Sequence, residues 1–356
     1  MLEFIKPISD VNVKFNKVSL YFLLYFFISG QYQCFAENEW GIATSNSVFV
    51  RKAELNSFKD EPPQTVEVEE GAPYKLTCNP PDGWPKPNVY WLIQNADGGI
   101  KSINNSRMTL DPEGNLWFSN VTKADASDDF TYACSATSLF RNEYKVGNRV
   151  MLNVKSSGAS GSQSYHEPIA QYVSRNNEVA LRGKKVEIYC IFGGTPLPEI
   201  RWSKQGGSLP PDRVVLGNYG KSLVIKHVNF EDEATYTCEA SNGQGSAKSH
   251  AVSLKVMAAP YFTVEPEIIN AAEEESVTFR CEASGVPEPQ ISWIHNGKPI
   301  EEAPHNPRRK VTPNSITIDR LVKKDTGNYG CNATNSLGYV YKDVYVNVLG
   351  KFLFLF

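Results

Sequence analysis

Six of the seven cysteines fall into three pairs of nearly constant span: Cys78 and Cys134 are 56 residues apart, Cys190 and Cys238 48, and Cys281 and Cys331 50. A tryptophan follows the first cysteine of each pair at an almost fixed distance. Trp91 lies 13 residues after Cys78, and Trp202 and Trp293 each lie 12 after theirs, inside VYWLI, IRWSK and ISWIH. A tyrosine, Tyr132, Tyr236 or Tyr329, stands two residues before each second cysteine. No two cysteines form the Cys-x-x-Cys pair that zinc and redox sites use, so pairing across long loops into disulfides is the reading they support. A chain of 356 residues holds three full copies of a repeat of about 90–100 residues.

The stretches between these landmarks read as strands. Val, Ile, Thr, Tyr and Phe alternate in short runs, 25 Gly and 22 Pro supply turns between them, and no long 3.6-residue periodicity occurs. Two antiparallel sheets packed face to face need a bulky residue against the bridge that staples them, and an indole fills that gap. The phenol before the second cysteine is placed to hydrogen-bond back to the turn entering its strand. The turns read Asp232-Glu233-Ala234-Thr235-Tyr236 and Asp325-Thr326-Gly327-Asn328-Tyr329, whereas Asp128-Asp129-Phe130-Thr131-Tyr132 carries Phe130 where the others have Ala or Gly. The triplets Leu116-Trp117-Phe118, Leu223-Val224-Ile225 and Ile316-Thr317-Ile318 alternate so that their outer members face a core. This Cys…Trp…Cys pattern resembles the immunoglobulin sandwich, which makes the expected class all-β, with tandem immunoglobulin-like (I-set type) β-sandwiches.

A phrase Tyr-x-Cys-x-Ala-x-Asn-x-x-Gly recurs at residues 32–41, 236–245 and 329–338. It fits a hairpin, because Gly tolerates positive φ and Asn bonds its own backbone. In the repeat between them SLFRNEYKVGN, Ser138–Asn148, takes its place and is the least predictable loop. The expected boundaries are a non-domain apolar leader at 1–30, a partial domain at 31–55 with only the last two strands (F and G), domains at 56–155, 168–257 and 258–349, a flexible Gly/Ser-rich linker at 156–167, and a tail at 350–356. The joint Val256–Pro260 has almost no slack. Cys34, in the partial domain, is left unpaired, and two strands alone are marginal, so this piece is expected to lean on a neighbour or to be poorly ordered. The apolar run Val18–Gly30 fits a signal-peptide core, and it also fits a translated splice acceptor, as Gly350-Lys351-Phe352 fits a translated donor. It is short for a membrane span.

Chemistry is sparse. With 36 Lys plus Arg against 39 Asp plus Glu the net charge is −3, which leaves no electrostatic footprint for nucleic acid. Five scattered histidines, with no ligand spacing among them, and the absence of a nucleophile elbow or phosphate loop leave no catalytic, cofactor or metal site to name. Glu273–Glu275 reads as a solvated turn before a calcium site, and Arg308–Lys310 as a solubilising loop before a polyanion site. Disulfides place the chain outside the cytosol, and three Asn-x-Ser/Thr acceptors, Asn104, Asn120 and Asn332, suit glycosylation there.

Gly193–Lys204 and Asn218–Cys238 (NYGKSLVIKHVNFEDEATYTC), with the order of domains, resemble the arthropod neural cell-adhesion molecules of the immunoglobulin superfamily, from about Gln31 to Leu349. The resemblance implies a type-I membrane glycoprotein of neurons and epithelia whose first four domains mediate homophilic adhesion. It implies a horseshoe with the first domain on the fourth and the second on the third, followed by fibronectin repeats, a membrane helix and an ankyrin-binding tail. The expected partners are another copy in trans or related immunoglobulin-superfamily receptors, with no nucleic acid or small-molecule substrate, and with the membrane only through a downstream segment outside this chain. A secreted hemolin-like immunoglobulin protein binding microbial or cell-surface ligands is the alternative. A mechanical spacer is disfavoured by the Ser/Gly linker, and an enzyme is the weakest class.

Overall fold

The computed structural model describes residues 2–5, 12–15, 29–38, 41–45, 48–103, 105–156 and 165–350. The chain divides into two units, Ala53–Val256, and Met1–Lys52 with Met257–Phe356. Sandwiches are numbered here from the incomplete first repeat.

The unit Ala53–Val256 holds the second and third sandwiches. In the second, one sheet runs Ile100–Ser102, Asn88–Asn95, Phe130–Ser138, Glu143–Lys155, Gln64–Glu69, and the facing sheet runs Met108–Leu110, Leu116–Phe118, Tyr74–Leu76. The outermost pair of the larger sheet, Gln64–Glu69 with Glu143–Lys155, is parallel, and the other printed pairs of these two sheets are antiparallel. In the third, His166–Val173, Val186–Thr195, Ser222–Ile225 and Val214–Gly217 form one sheet. The other runs Asn177–Leu181, Lys248–Val264, Ala234–Ser241, Glu199–Lys204, with residues 248–254 of the long strand paired to residues 234–240.

Within the unit that includes residues 257–356, the fourth sandwich repeats this plan. Ile269–Ala272, Gly338–Leu349, Gly327–Asn335, Gln290–His295 and Lys298–Pro299 face Val277–Arg280, Ser315–Ile318 and Arg309–Thr312. Two strands that the sequence reading did not pick out, Leu2–Ile5 and Asn12–Phe15, pair with each other, and Leu2–Ile5 also pairs with Gly30–Asn38. The physical reason is the open edge of Gly30–Asn38, whose unpaired backbone groups accept any extended segment of matching register. Gly41–Thr44 and Val48–Val50 also pair with Gly30–Asn38. The linker expected at 156–167 lies largely outside the described residues, which omit 157–164, and the expected tail lies outside them from 351 onward.

Each core is made by alternation. Along Ala234–Ser241, Tyr236, Cys238 and Ala240 are buried while Glu239 and Ser241 are exposed. The outer members of the three triplets, Leu116 and Phe118, Leu223 and Ile225, Ile316 and Ile318, are fully buried, and the middle residue of each is half-buried. The stretch Ser138–Asn148 is not a long loop. Residues 143–146 pair with residues 135–138, so only Leu139–Asn142 turns, with Asn142 at φ +49°. The alternating Tyr144 and Val146 allow the strand to continue where a loop was expected.

Candidate interaction surface and interdomain clasp

In every full sandwich the indole stands directly opposite the second cysteine on the neighbouring strand, with pairs Trp91 and Cys134, Trp202 and Cys238, and Trp293 and Cys331. Bridges join Cys78 to Cys134, Cys190 to Cys238, and Cys281 to Cys331, with Cα separations of 5.8, 6.5 and 6.5 Å. Each indole N–H donates to a backbone carbonyl, from Trp91 to Gly114 (2.8 Å), from Trp202 to Gly220 (2.8 Å) and from Trp293 to Thr312 (3.0 Å). A buried indole is thereby left with no unmet donor. Cys34 lies on Gly30–Asn38 opposite Phe4, and its side chain falls outside the described residues.

The tyrosines expose a device that sequence reasoning missed. Tyr236 and Tyr329 donate to the carbonyls of Asp232 and Asp325, four residues earlier, at 2.9 and 3.3 Å. Tyr132 reaches instead to Asp125, seven residues earlier, at 2.9 Å, so the turn identified at Asp128 is three residues longer than its counterparts and its anchor is Asp125. The carboxylates of Asp125, Asp232 and Asp325 accept from the backbone N–H of Thr122, Asn229 and Val322 at 2.7, 2.7 and 2.8 Å. Each also accepts an arginine at 2.6 Å, from Arg107, Arg213 and Arg308. These arginines stand one residue before the strands Met108–Leu110, Val214–Gly217 and Arg309–Thr312. Burial pushes the Tyr236 and Tyr329 phenols up to about 12. Arg308, the first residue of the Arg308–Lys310 run, is engaged with Asp325 inside its own sandwich. Burial raises the Asp325 carboxyl, but the Arg308 guanidinium, the Val322 amide and Asn306 together outweigh it and hold the group below its ordinary value.

The second and third sandwiches meet through a polar clasp. Lys221, 2% exposed, sends its ammonium from the third sandwich to the Ser106 carbonyl (2.7 Å), Ser119 Oγ (2.8 Å) and Thr109 Oγ1 (3.1 Å) of the second. All three partners are uncharged, and burial, with the nearby Arg107 charge, pushes the Lys221 ammonium down to about 8. Around it Gly194 N–H donates to the Ser119 carbonyl (2.8 Å), Gln171 Nε2 to the Phe118 carbonyl (2.8 Å) and Thr195 Oγ1 to the Gly71 carbonyl (2.6 Å). A Cβ on Gly193 would lie 2.6 Å from the Pro73 Cβ and 2.8 Å from the Ser119 carbonyl, so only glycine permits this approach.

The glycosylation candidates differ. Asn120, 7% exposed, donates from Nδ2 to the Gly194 carbonyl at 3.1 Å. Asn332 is half-buried with its Nδ2 3.5 Å from Ser292 Oγ, and Asn104 lies outside the described residues.

The outer faces hold what remains. Leu139 and Phe140, 77% and 78% exposed, form the tip of the second sandwich's hairpin beside the exposed Tyr144, and the same sheet carries a shallow groove of about 250 Å³ with Ile100 and Val146 in its wall. Among the described residues no group of three or more His, Cys, Asp or Glu is placed to hold a metal ion, and no helix is long and apolar enough to cross a membrane.

Stapled sandwiches that keep their polar chemistry for turns and clasp define a class of immunoglobulin-type modules. The family described as immunoglobulin I-set domain matches residues 57–159 and 260–348, and the one described as immunoglobulin domain matches residues 167–242. The chain belongs to the immunoglobulin I-set family, which is not a family of enzymes. It is 66% identical to Neuroglian of Drosophila melanogaster over 90% of its own length and 25% of that protein, and 35% identical to the Neuronal cell adhesion molecule of Gallus gallus over 90% and 24%. The crystal structure of the insect immune protein hemolin, described with implications for homophilic adhesion, superposes with a TM-score of 0.80 at 33% identity, covering 90% of this chain and 82% of hemolin. The chain thus spans about a quarter of the length of the neural relatives it matches.

Proposed function

We propose that these domains are the adhesive extracellular part of a neural and epithelial cell-adhesion molecule, acting at the outer side of the plasma membrane by contact with a second copy in trans or with a related immunoglobulin-superfamily receptor. The observation that carries this reading is the 66% identity to Neuroglian along 90% of the chain. Disulfides in all three full sandwiches support the extracellular side, since such bonds persist in oxidising compartments. The boundaries 56–155, 168–257 and 258–349 and glycosylation of Asn104 and Asn332 belong to the same proposal. The exposed Leu139 and Phe140 are assigned part of the contact, because apolar side chains presented together on a loop tip are what a partner's surface would cover.

Beads coated with the secreted chain test it. Clustering with each other, weakened by Leu139→Ser with Phe140→Ser, is the expected result. Beads that stay dispersed but bind bacterial surface glycolipid would favour the second reading, a hemolin-like ligand-binding protein, whose support is the 0.80 superposition.

A further inference from the structure

We propose that a glycan on Asn120 and the closed clasp between the second and third sandwiches exclude one another, so that the bare or modified state of this one amide decides whether the pair is packed or apart. The inference stands on the clasp alone and is independent of the adhesion reading.

The sequence Asn120-Val121-Thr122 is an acceptor for oligosaccharide transfer. That transfer joins Nδ2 to the anomeric carbon of the sugar, releases one amide proton and displaces the lipid pyrophosphate of the donor. The nitrogen that must react is the one already donating to the Gly194 carbonyl across the interface. A carbonyl only accepts, so the amide orientation is set by chemistry and Nδ2 is the atom turned into the clasp. Its surroundings leave no path for a sugar ring. Ser119 is fully buried, its carbonyl takes the Gly194 N–H and its hydroxyl takes Lys221. Gly193 is already within contact distance of Pro73. Hexosamine on Nδ2 therefore has to separate Gly194 from Ser119 and withdraw Lys221 from its three acceptors, which returns the ammonium to water. Conversely, a closed clasp shields the amide from the transferase.

Lys221 supplies the readout, because an ammonium that is 2% exposed is protected from amine acylation only while the clasp is closed. The full chain, secreted from cells with and without an inhibitor of lipid-linked oligosaccharide synthesis, is acylated briefly and mapped by mass spectrometry for sugar at Asn120 and acyl at Lys221. Lys310, 74% exposed, is the internal standard. In every preparation of the unmodified chain the acylated fraction of Lys221, taken relative to that of Lys310, should follow the glycosylated fraction of Asn120. Thr122→Val removes the acceptor while leaving Asn120 in place, and should leave Lys221 protected throughout. Gly193→Leu wedges the interface from the strand side, and should raise both Asn120 occupancy and Lys221 acylation several-fold while the Cys190–Cys238 bridge stays formed. Glycosylated Asn120 with protected Lys221 overturns the proposal, as does bare Asn120 with Lys221 reacting as fast as Lys310.

Discussion

Asp125, Asp232 and Asp325 each do three things with one residue: the carboxylate takes an arginine and a backbone N–H, and the carbonyl takes the tyrosine before a bridged cysteine. Removing such a carboxylate strands a guanidinium and an amide that are largely withdrawn from water. Asp125→Ala should therefore destabilise the second sandwich by about 2–3 kcal/mol, at the low end for a broken buried pair because Arg107 keeps part of its surface in solvent. Hydrogen exchange in residues 130–138 reads that loss directly. Asp325 gives the pH counterpart. Its folded-state carboxyl is held below its ordinary value, so the unfolded chain binds the proton first as pH falls. The stability it contributes is complete above the unfolded value of about 3.9 and drains away below it. The fourth sandwich of Asp325→Asn should start less stable at neutral pH and lose less between about pH 4 and 2 than the unmodified chain in acid-unfolding scans. The cysteines, tryptophans and tyrosines were legible because their spacing repeats in short windows. The arginines were not, since each meets its aspartate 17–19 residues later and no local pattern marks the pair. The spacing aligned Asp128, four residues before Tyr132, with Asp232 and Asp325, whereas three extra residues in this turn make Asp125 the partner.

At the level of strands, what alternates is what folds. Ile316 and Ile318 are fully buried beside Phe279, while Thr317 between them faces outward and shares a 2.8 Å hydroxyl contact with Thr278. Ile318→Ala should cost about 3 kcal/mol, from lost burial and the cavity left behind, whereas Thr317→Ala should cost under about 1 kcal/mol. Exchange protection of residues 327–335 in the two variants separates these outcomes, and equal losses would contradict the alternation. All-β sandwiches were legible from this period and from the cysteine frame. The hairpin at 138–148 was not, because its turn lacks the Asn-x-x-Gly phrase, yet the pairing of Ser138 with Glu143 needs only a four-residue turn. Leu2–Ile5 and Asn12–Phe15 were missed for the opposite reason, being short segments with no intrinsic signal that an open edge recruits.

Across the molecule, separate cores of residues surround the three bridges, and the long strand Lys248–Val264 serves two of them, with Val252 and Leu254 in the third sandwich and Phe262 packed against the fourth. The resemblance led to the expectation that the second sandwich packs on the third, and the unit Ala53–Val256 shows the contact as a set of polar bonds around Lys221. None of its members carried a signal for this contact in the sequence, where Asn120 stood out only as a glycosylation acceptor, since a lysine, a serine, an asparagine and two glycines are ordinary surface residues until another sandwich covers them. Function follows from the same division. Covalently braced interiors free the outer faces to vary, and the outer faces are what a partner meets.

Each full sandwich is closed by its own bridge, and each loop of about 50 residues contributes roughly 4 kcal/mol by restricting the unfolded chain. Peptide mapping of the unreduced secreted chain tests this most directly. It should recover Cys78 with Cys134, Cys190 with Cys238 and Cys281 with Cys331. A bridge linking two sandwiches, or free thiols at any of these six positions, would contradict it.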